Sequence, residues 1–281
     1  MLRETYPRTF WILALVFALF TLFLYAPTIT ITILSFQGPQ GGLVFPMRGW
    51  SLHWFGQVFQ RQSIGDIHGS FARSIQLALV VMVLTVVISF LAGLAFRQRF
   101  IGSTALFYVA IASLIMPSVV VSLGIGALFE VLGIDRFWWN AGLGAHLTWT
   151  LPFGLLIMFA VFNRFDKRLE EAARDQGASG VQTVRHVVLP IVLPSLIGVG
   201  LFGFTLSYDE LARSSQAMGA LNTLPLELQA MQTNATTPVI YALGTLTTAL
   251  SLLVIFVSLG TALLLQRRRA RAGSDAGKGM V

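Results

Sequence analysis

Apolar runs of about 20 residues, the length a helix needs to cross the hydrocarbon of a bilayer, recur along this chain. They cover Phe10 to Leu34, Ser74 to Phe96, Gly102 to Leu132, Leu143 to Phe162, Val187 to Tyr208 and Val239 to Gln266. The expected fold is therefore all-α: a polytopic integral membrane protein with six transmembrane helices in one domain. Composition agrees. Hydrophobic residues make up 55% of the 281 and charged residues 11%, against about 25% charged in a soluble domain. There is no cysteine, which excludes disulfides, thiolate metal sites and cysteine nucleophiles.

The longest segments between the runs are polar and hold turn formers. Residues 35–69 hold Gly38, Pro39, Gly41 and Gly42, then Trp50, His53 and Trp54, at the level where Trp favours a membrane–water interface. His53 and His68 have no partners at metal-ligand spacing and read as interfacial or solvated. Pro117 falls in the middle of the third run, where its missing donor implies a kink, and Gly124 and Gly126 after it permit close helix approach. Asp135, Arg136, Trp138 and Trp139 form a second interfacial cluster, and Pro225 opens a short helix in the polar stretch 209–237. The tail, 267–281, carries Arg267, Arg268, Arg269, Arg271 and Lys278 among Gly, Ala and Ser and is expected to be flexible. The first run is too long for the apolar part of a cleavable signal, so none is expected.

Six crossings put both termini on one side. Of the 19 Lys and Arg, 14 then share the side of the termini, and Arg48, Arg61, Arg73, Arg136 and Arg213 lie opposite. This asymmetry puts the termini in the cytoplasm and accounts for the net charge of +7 without nucleic acid. The same side receives a charged island, 163–186, with Glu170, Glu171, Arg174, Asp175, Arg185 and His186. Acidic residues at its start suit a helix N-terminus. Ala172 and Ala173 allow another protein to approach closely, and Gly177 can end the helix in the left-handed conformation. Pro190 would fall in the first turn of the fifth run, where a missing donor does least harm. A short exposed helix, a sharp turn and a stiff connection into a membrane helix form a lever.

These residues carry a resemblance. Glu171-Ala172-Ala173, three residues, Gly177, nine residues, Val187, one residue, then Leu189-Pro190 resembles the EAA loop of binding-protein-dependent ABC importer permeases, with Val187 where that pattern usually has Ile. The position of the loop between the fourth and fifth runs is similar too. The resemblance covers the core, 70–266, well and the first span, 10–34, more loosely. It implies the type I importer permease fold in a bacterial cytoplasmic (inner) membrane. It also implies that Glu170, Glu171, Ala172, Ala173, Gly177, Leu189 and Pro190 couple the chain to a dimer of ABC ATPase subunits. Further partners implied are a second permease, with a heterodimer favoured, and an extracytoplasmic solute-binding protein. ATP and Mg would bind the ATPase; no cofactor or metal would bind this chain. The chain lacks a Gly-x-x-x-x-Gly-Lys-Ser/Thr phosphate cradle and is expected not to be an enzyme.

The substrate end is less informative. Tyr208, Asp209 and Glu210 end the fifth run at the outer level, where carboxylates can attract a cation or simply bind water. Ser207-Tyr208-Asp209-Glu210, with Leu224-Pro225-Leu226-Glu227, is similar to segments of the polyamine-type permeases, which implies a substrate such as spermidine or putrescine. The alternative is another small organic solute, an aminophosphonate or amino-acid derivative, on the same machinery. A passive six-span channel is a further alternative. An intramembrane serine protease is another, because Gly177-Ala178-Ser179-Gly180 with His186 imitates its nucleophile motif. Glu130, His146 and Asn163 read as interfacial or helix-contact residues.

Overall fold

The computed structural model describes residues 8–60, 65–98, 100–234 and 238–278. Arg3, Arg61 and Arg99 of the charge count lie outside them. No strand occurs among the described residues; Gln37 and Trp50 form a single isolated bridge. The chain separates into two units, residues 1–65 with 230–250, and residues 66–229 with 251–281.

In the first unit α1 (Arg8–Leu34) buries only Leu34. Phe17 and Phe23 stand 70% and 78% exposed, as suits a helix whose solvent is lipid. After it the chain folds around the buried side chain of Gln37, whose amide nitrogen donates to Gly42 O (3.2 Å) and whose Oε1 accepts from Arg48 N (2.7 Å). The short α2 (His53–Val58) follows.

The second unit is built on α3 (Ile67–Phe96), α6 (Leu143–Asn163) and α9 (Leu189–Tyr208), each packed against the other two. Small residues bring them close. A Cβ at Gly93 of α3 would lie 2.7 Å from the Phe162 ring of α6, and one at Gly203 of α9 would lie 3.3 Å from Met82 and Thr85 of α3. The Thr85 and Thr150 hydroxyls are buried and bond each other at 2.8 Å, which answers the demand of a polar group inside an apolar bundle. Met158, Phe162, Val188, Val192, Leu196 and Val199 make the main apolar cluster. Gly93→Val overpacks the α3–α6 contact and is expected to destabilise the fold by about 1–3 kcal/mol. The check is a lower thermal midpoint of the detergent-solubilised protein.

The third expected span is corrected. Among the described residues five helical stretches are long and apolar enough to cross a membrane, and residues 103–131 are not one of them. They form α4 (Ser103–Ala112) and α5 (Ser118–Val131), of 10 and 14 residues. At 1.5 Å per residue neither spans a hydrocarbon core of about 30 Å alone. Pro117 has extended backbone angles (φ −56°, ψ 129°) and caps α5, and its ring disfavours helix at the residue before it. The break is held from outside, since Ser113 Oγ donates to Thr148 O (2.7 Å) and Ser113 O accepts from Arg213 Nη2 (3.4 Å).

Two other expectations shift. The fifth helical stretch begins at Gly180, with α8 (Gly180–Thr183) and a π-helical turn, Val184–Val188, leading into α9. Leu189 N bonds back to Val184 O there. The wider turn falls where Pro190 cannot donate, so the helix continues through the proline instead of starting at it. The tail, 267–281, expected to be flexible, is helical through Lys278 as the end of α12 (Val239–Lys278). Arg and Ala are good helix formers, and a helix already nucleated in the apolar run extends without a new nucleus.

Candidate functional site

The charged island folds as a helix, a turn and a second helix. α7 (Arg168–Asp175) has Glu170 and Glu171 in its first turn and Arg174 in its last, the charge order that complements a helix dipole. It ends where Gly177 takes φ +85°. Ala178 N bonds Ala173 O (3.0 Å) and Gly177 N bonds Arg174 O (2.8 Å), the paired closure of a left-handed glycine stop. Ser179 then caps α8. Its Oγ accepts from Gln182 N (3.3 Å) and its own N–H donates to Gln182 Oε1 (2.8 Å), a reciprocal capping box.

The same bonds bear on the serine-protease motif. Ser179 Oγ serves the helix cap and His186 Nδ1 lies 3.0 Å from Gln182 O. Both residues are exposed, on a surface turn, and no bond between them occurs among the described residues. A nucleophile needs an adjacent, oriented base, and this turn supplies none.

Within α7 the adjacent glutamates separate. Glu170 turns inward, with its side chain 13% exposed, and pairs with Arg97 at 2.5 Å and with Arg174 at 3.8 Å. Glu171 and Ala172 stand exposed and Ala173 is half-buried. Leu189, partly buried, packs against the main apolar cluster, joining the island to the bundle.

At the other end of α9 the expected trio also separates. Tyr208 is buried, its ring stacked on Phe204 at 5.8 Å, and its hydroxyl has no hydrogen-bond partner. Glu210 is engaged by Arg213, whose N–H donates to its Oε1 (2.8 Å) and whose Nη1 lies 3.9 Å from its Oε2. Asp209 is exposed and makes no ion pair among the described residues. Around them lies a polar network of which the sequence had offered His146, as an interfacial or helix-contact residue, and Ser207, within the Ser-Tyr-Asp-Glu segment. His146 bridges Ser207 (2.8 Å) on α9 and Ser214 (2.9 Å) on α10 (Ser214–Ala217). Ser122 on α5 donates to Arg213 O (2.7 Å) and accepts from Gln216 N (3.0 Å). Arg213 itself is buried, with its guanidinium 4.5 Å from the Trp149 ring centroid. Its only sequence signal was its place in the charge count, among the five cations opposite the termini.

Nearby, the start of α3 is tied to α11 (Leu224–Asn234). Glu227 accepts from Asp66 N (3.0 Å) and Asn222 Nδ2 (2.8 Å), while Ser74 Oγ accepts from Leu224 N (2.8 Å). The Gly69 N–H and the Arg73 guanidinium hold the exposed Asp66 carboxyl below its usual range. Glu130 lines an open cleft of about 570 Å³ with Asp135, Arg136 and Gly219. Arg136 lies 3.8 Å from Glu130 and donates to Gln216 O (2.9 Å). Gly219 sits at φ +71°, where a Cβ would lie 2.2 Å from Arg136 O. Gly219→Val is therefore expected to deplete folded protein in the membrane, as a quantitative blot would show; left-handed strain alone costs about 1–2 kcal/mol, and the clash is with rigid backbone.

Residues 85–271, which include the island and the polar network, match the family described as binding-protein-dependent transport system inner membrane component. The chain belongs to that family. It is the membrane-spanning permease subunit of an ABC importer and not itself an enzyme. This permease is 32% identical over 240 residues to the spermidine/putrescine transport system permease protein PotC of Haemophilus influenzae, covering 84% of this chain and 90% of that one. It is 29% identical over 248 residues to the putrescine transport system permease protein PotI of Escherichia coli, covering 85% and 86%. Among solved structures, a bacterial ABC transporter that imports alginate aligns over 95% of this permease and 99% of that chain, with TM-score 0.62 and 19% identity. The methionine ABC transporter in an inward-facing form aligns over 71% and 95%, with TM-score 0.57 and 19% identity. The last two establish the fold alone.

Proposed function

We propose that this permease forms half of the translocation pathway for a polyamine such as spermidine or putrescine, and that α7 is the element through which ATP hydrolysis drives it. The observation that carries the drive is the exposed face of α7, where Glu171 and Ala172 point outward on a short helix stopped by Gly177. The lever runs from α7 through the π-helical turn Val184–Val188 to Leu189-Pro190 at the start of α9, so displacement of α7 reaches a helix that crosses the membrane. Two ATPase subunits, carrying ATP and Mg, would close beneath two permeases. The second permease is a different chain, and a solute-binding protein delivers the substrate from the opposite side. The alginate importer in complex with its periplasmic protein is a precedent in the same fold.

The topology places both termini and the island in the cytoplasm, with α4 and α5 together making one of six crossings. It is supported by the cations on the island side, including Arg97, Arg164, Lys167, Arg168, Arg174 and Arg185. Reporter fusions at Gly180 and Gly219 should read cytoplasmic and periplasmic in turn; the reverse would invert the scheme.

The polyamine assignment rests on the two polyamine-named relatives. Of the three expected pathway residues, Asp209 alone combines a carboxylate with exposure, so it is the group able to meet a cationic solute. Asp209→Asn should raise the KM for spermidine uptake about three- to ten-fold, the effect of roughly 1 kcal/mol of partly solvated charge attraction. Unchanged uptake kinetics would remove the cation site from this position.

A further inference from the structure

Where α3, α6 and α7 converge, one side chain touches all three. Arg97 follows the last residue of α3. Its Nη1 donates to Glu170 Oε1 of α7. The same guanidinium lies 5.1 Å from the ring centroid of Phe162, on α6, and 5.2 Å from that of Phe165, in the link between α6 and α7. Both members of the ion pair are largely withdrawn from solvent, 14% and 13% exposed. A surface pair is worth little and slips easily. A pair this covered, with its cation lying against two aromatic rings, has one preferred geometry. Phe162 is itself packed tightly against α3, since Gly93 leaves no room for even a methyl group against its ring. Arg174 lies 3.8 Å from the second oxygen of Glu170 but is 62% exposed, so it adds charge without adding rigidity.

α7 is joined to the bundle by its chain, backward through residues 164–167 to α6 and forward through the capped turn into α9. It has a further attachment that is electrostatic, sideways to the end of α3. A lever held only by its chain would swing about the link and the Gly177 turn, and part of any displacement would be lost in bending them. The attachment on α3 removes that freedom.

We propose that Arg97 is a positioning residue for energy coupling: through Glu170 it makes α7, α3 and the end of α6 move as one body, so that a push on α7 is delivered to α3 as well as to α9. The inference rests on the reading of α7 as the ATPase docking element. It divides the two glutamates by task, with Glu171 facing the motor and Glu170 facing the bundle.

The test uses the complete transporter in proteoliposomes, with ATP hydrolysis and spermidine uptake measured on the same preparation. Arg97→Gln, Glu170→Gln and the double variant form a cycle. Each single change should lower the ratio of spermidine moved to ATP hydrolysed by about ten-fold, within the range of ordinary coupling energies. The double variant should be no worse than the worse single one, because both remove the same link. A residue needed only for folding would lower the amount of intact complex and leave the ratio of the surviving molecules unchanged. Ratios within two-fold of the unmodified complex, or losses that multiply in the double variant, would overturn the proposal. If Arg97→Gln fails to accumulate, Glu170→Gln, which keeps the side-chain shape, and Arg97→Lys, which keeps the charge, carry the test. Arg97→Lys should fall between the unmodified complex and Glu170→Gln, and a ratio at or below that of Glu170→Gln would overturn the proposal. Glu171→Lys serves as the control for the underlying reading. Full transport by that variant would reject docking through α7 itself, whereas loss in Glu171→Lys with normal ratios in the Arg97 and Glu170 variants would reject only the role given to Arg97.

Discussion

Glu171→Lys should abolish uptake and binding-protein-stimulated ATP hydrolysis while leaving the permease folded in the membrane. The two halves of that result come from the position of one side chain. Glu171 is exposed in the first turn of α7 and makes no ion pair among the described residues. Inside the protein it contributes only its interaction with the helix dipole, about 0.3–1 kcal/mol. At a docked interface the same carboxylate would be desolvated against a basic or polar partner. Loss of one member of such a pair costs about 2–5 kcal/mol, and charge reversal adds repulsion. At ~1.4 kcal/mol per factor of ten, association with the ATPase should weaken by about a hundred-fold or more. Glu171→Ala should be milder, since it removes the attraction without adding repulsion. Gly177→Asp should act by another route. A left-handed residue at φ +85° costs an L-amino acid about 1–2 kcal/mol, and α7 would then leave the bundle in a different direction. Normal uptake by both Glu171→Lys and Gly177→Asp would reject the coupling role.

Arg213→Met should produce the largest loss of stability, about 3 kcal/mol or more. The fully buried Arg213 lies over Trp149, donates to the free carbonyl of Ser113 and sits beside Glu210. Methionine would fill much of the volume. It would leave Glu210 without its counter-ion and the α4–α5 break without one of its ties. The charge itself is incompletely matched, since Nε and Nη1 have no hydrogen-bond partner among the described residues. Much of the penalty should therefore come from the stranded carboxylate. Pairing Arg213→Met with Glu210→Gln should restore about half of it, because removing both charges is far less costly than removing one. Arg213→Lys should be intermediate, since an ammonium keeps the charge but not the planar stacking on Trp149. Thermal unfolding of the purified complex reads all three. A double variant no more stable than Arg213→Met would show that Arg213 acts by packing and not by charge.

What could be read in advance depended on how local its cause was. The island was legible because its stop and its proline, Gly177 and Pro190, each act on the backbone beside them. Spacing alone therefore placed the stop and the junction, while the Ser179–Gln182 cap between them went unread. The separation of Glu170 from Glu171 was not legible, because the cation that turns Glu170 inward is Arg97, at the end of a different helix. The third span shows the same limit. Pro117 announced a disturbance, but a kink and a complete break differ in whether the freed groups find partners. Those partners are Thr148 and Arg213, both distant in sequence. The polar network at the outer end was obscured for a further reason. Ser122, Ser207 and Ser214 are weakly polar residues common in membrane helices, and nothing in their spacing connects them to His146. The tail misled in the opposite sense: composition suggested flexibility, while the helix entering it from the apolar run continued.

The most direct test of the central claim uses the absence of cysteine from the chain. Ala172→Cys provides a single thiol on the exposed face of α7, and Asp209→Cys a single thiol at the opposite end of α9. In the assembled transporter, a short thiol-reactive crosslinker should join position 172 to the ATPase subunit and stop uptake, while position 209 should give no ATPase adduct. Labelling of position 172 by a membrane-impermeant reagent added outside intact cells, or crosslinking to the ATPase from 209 and not from 172, would contradict the account.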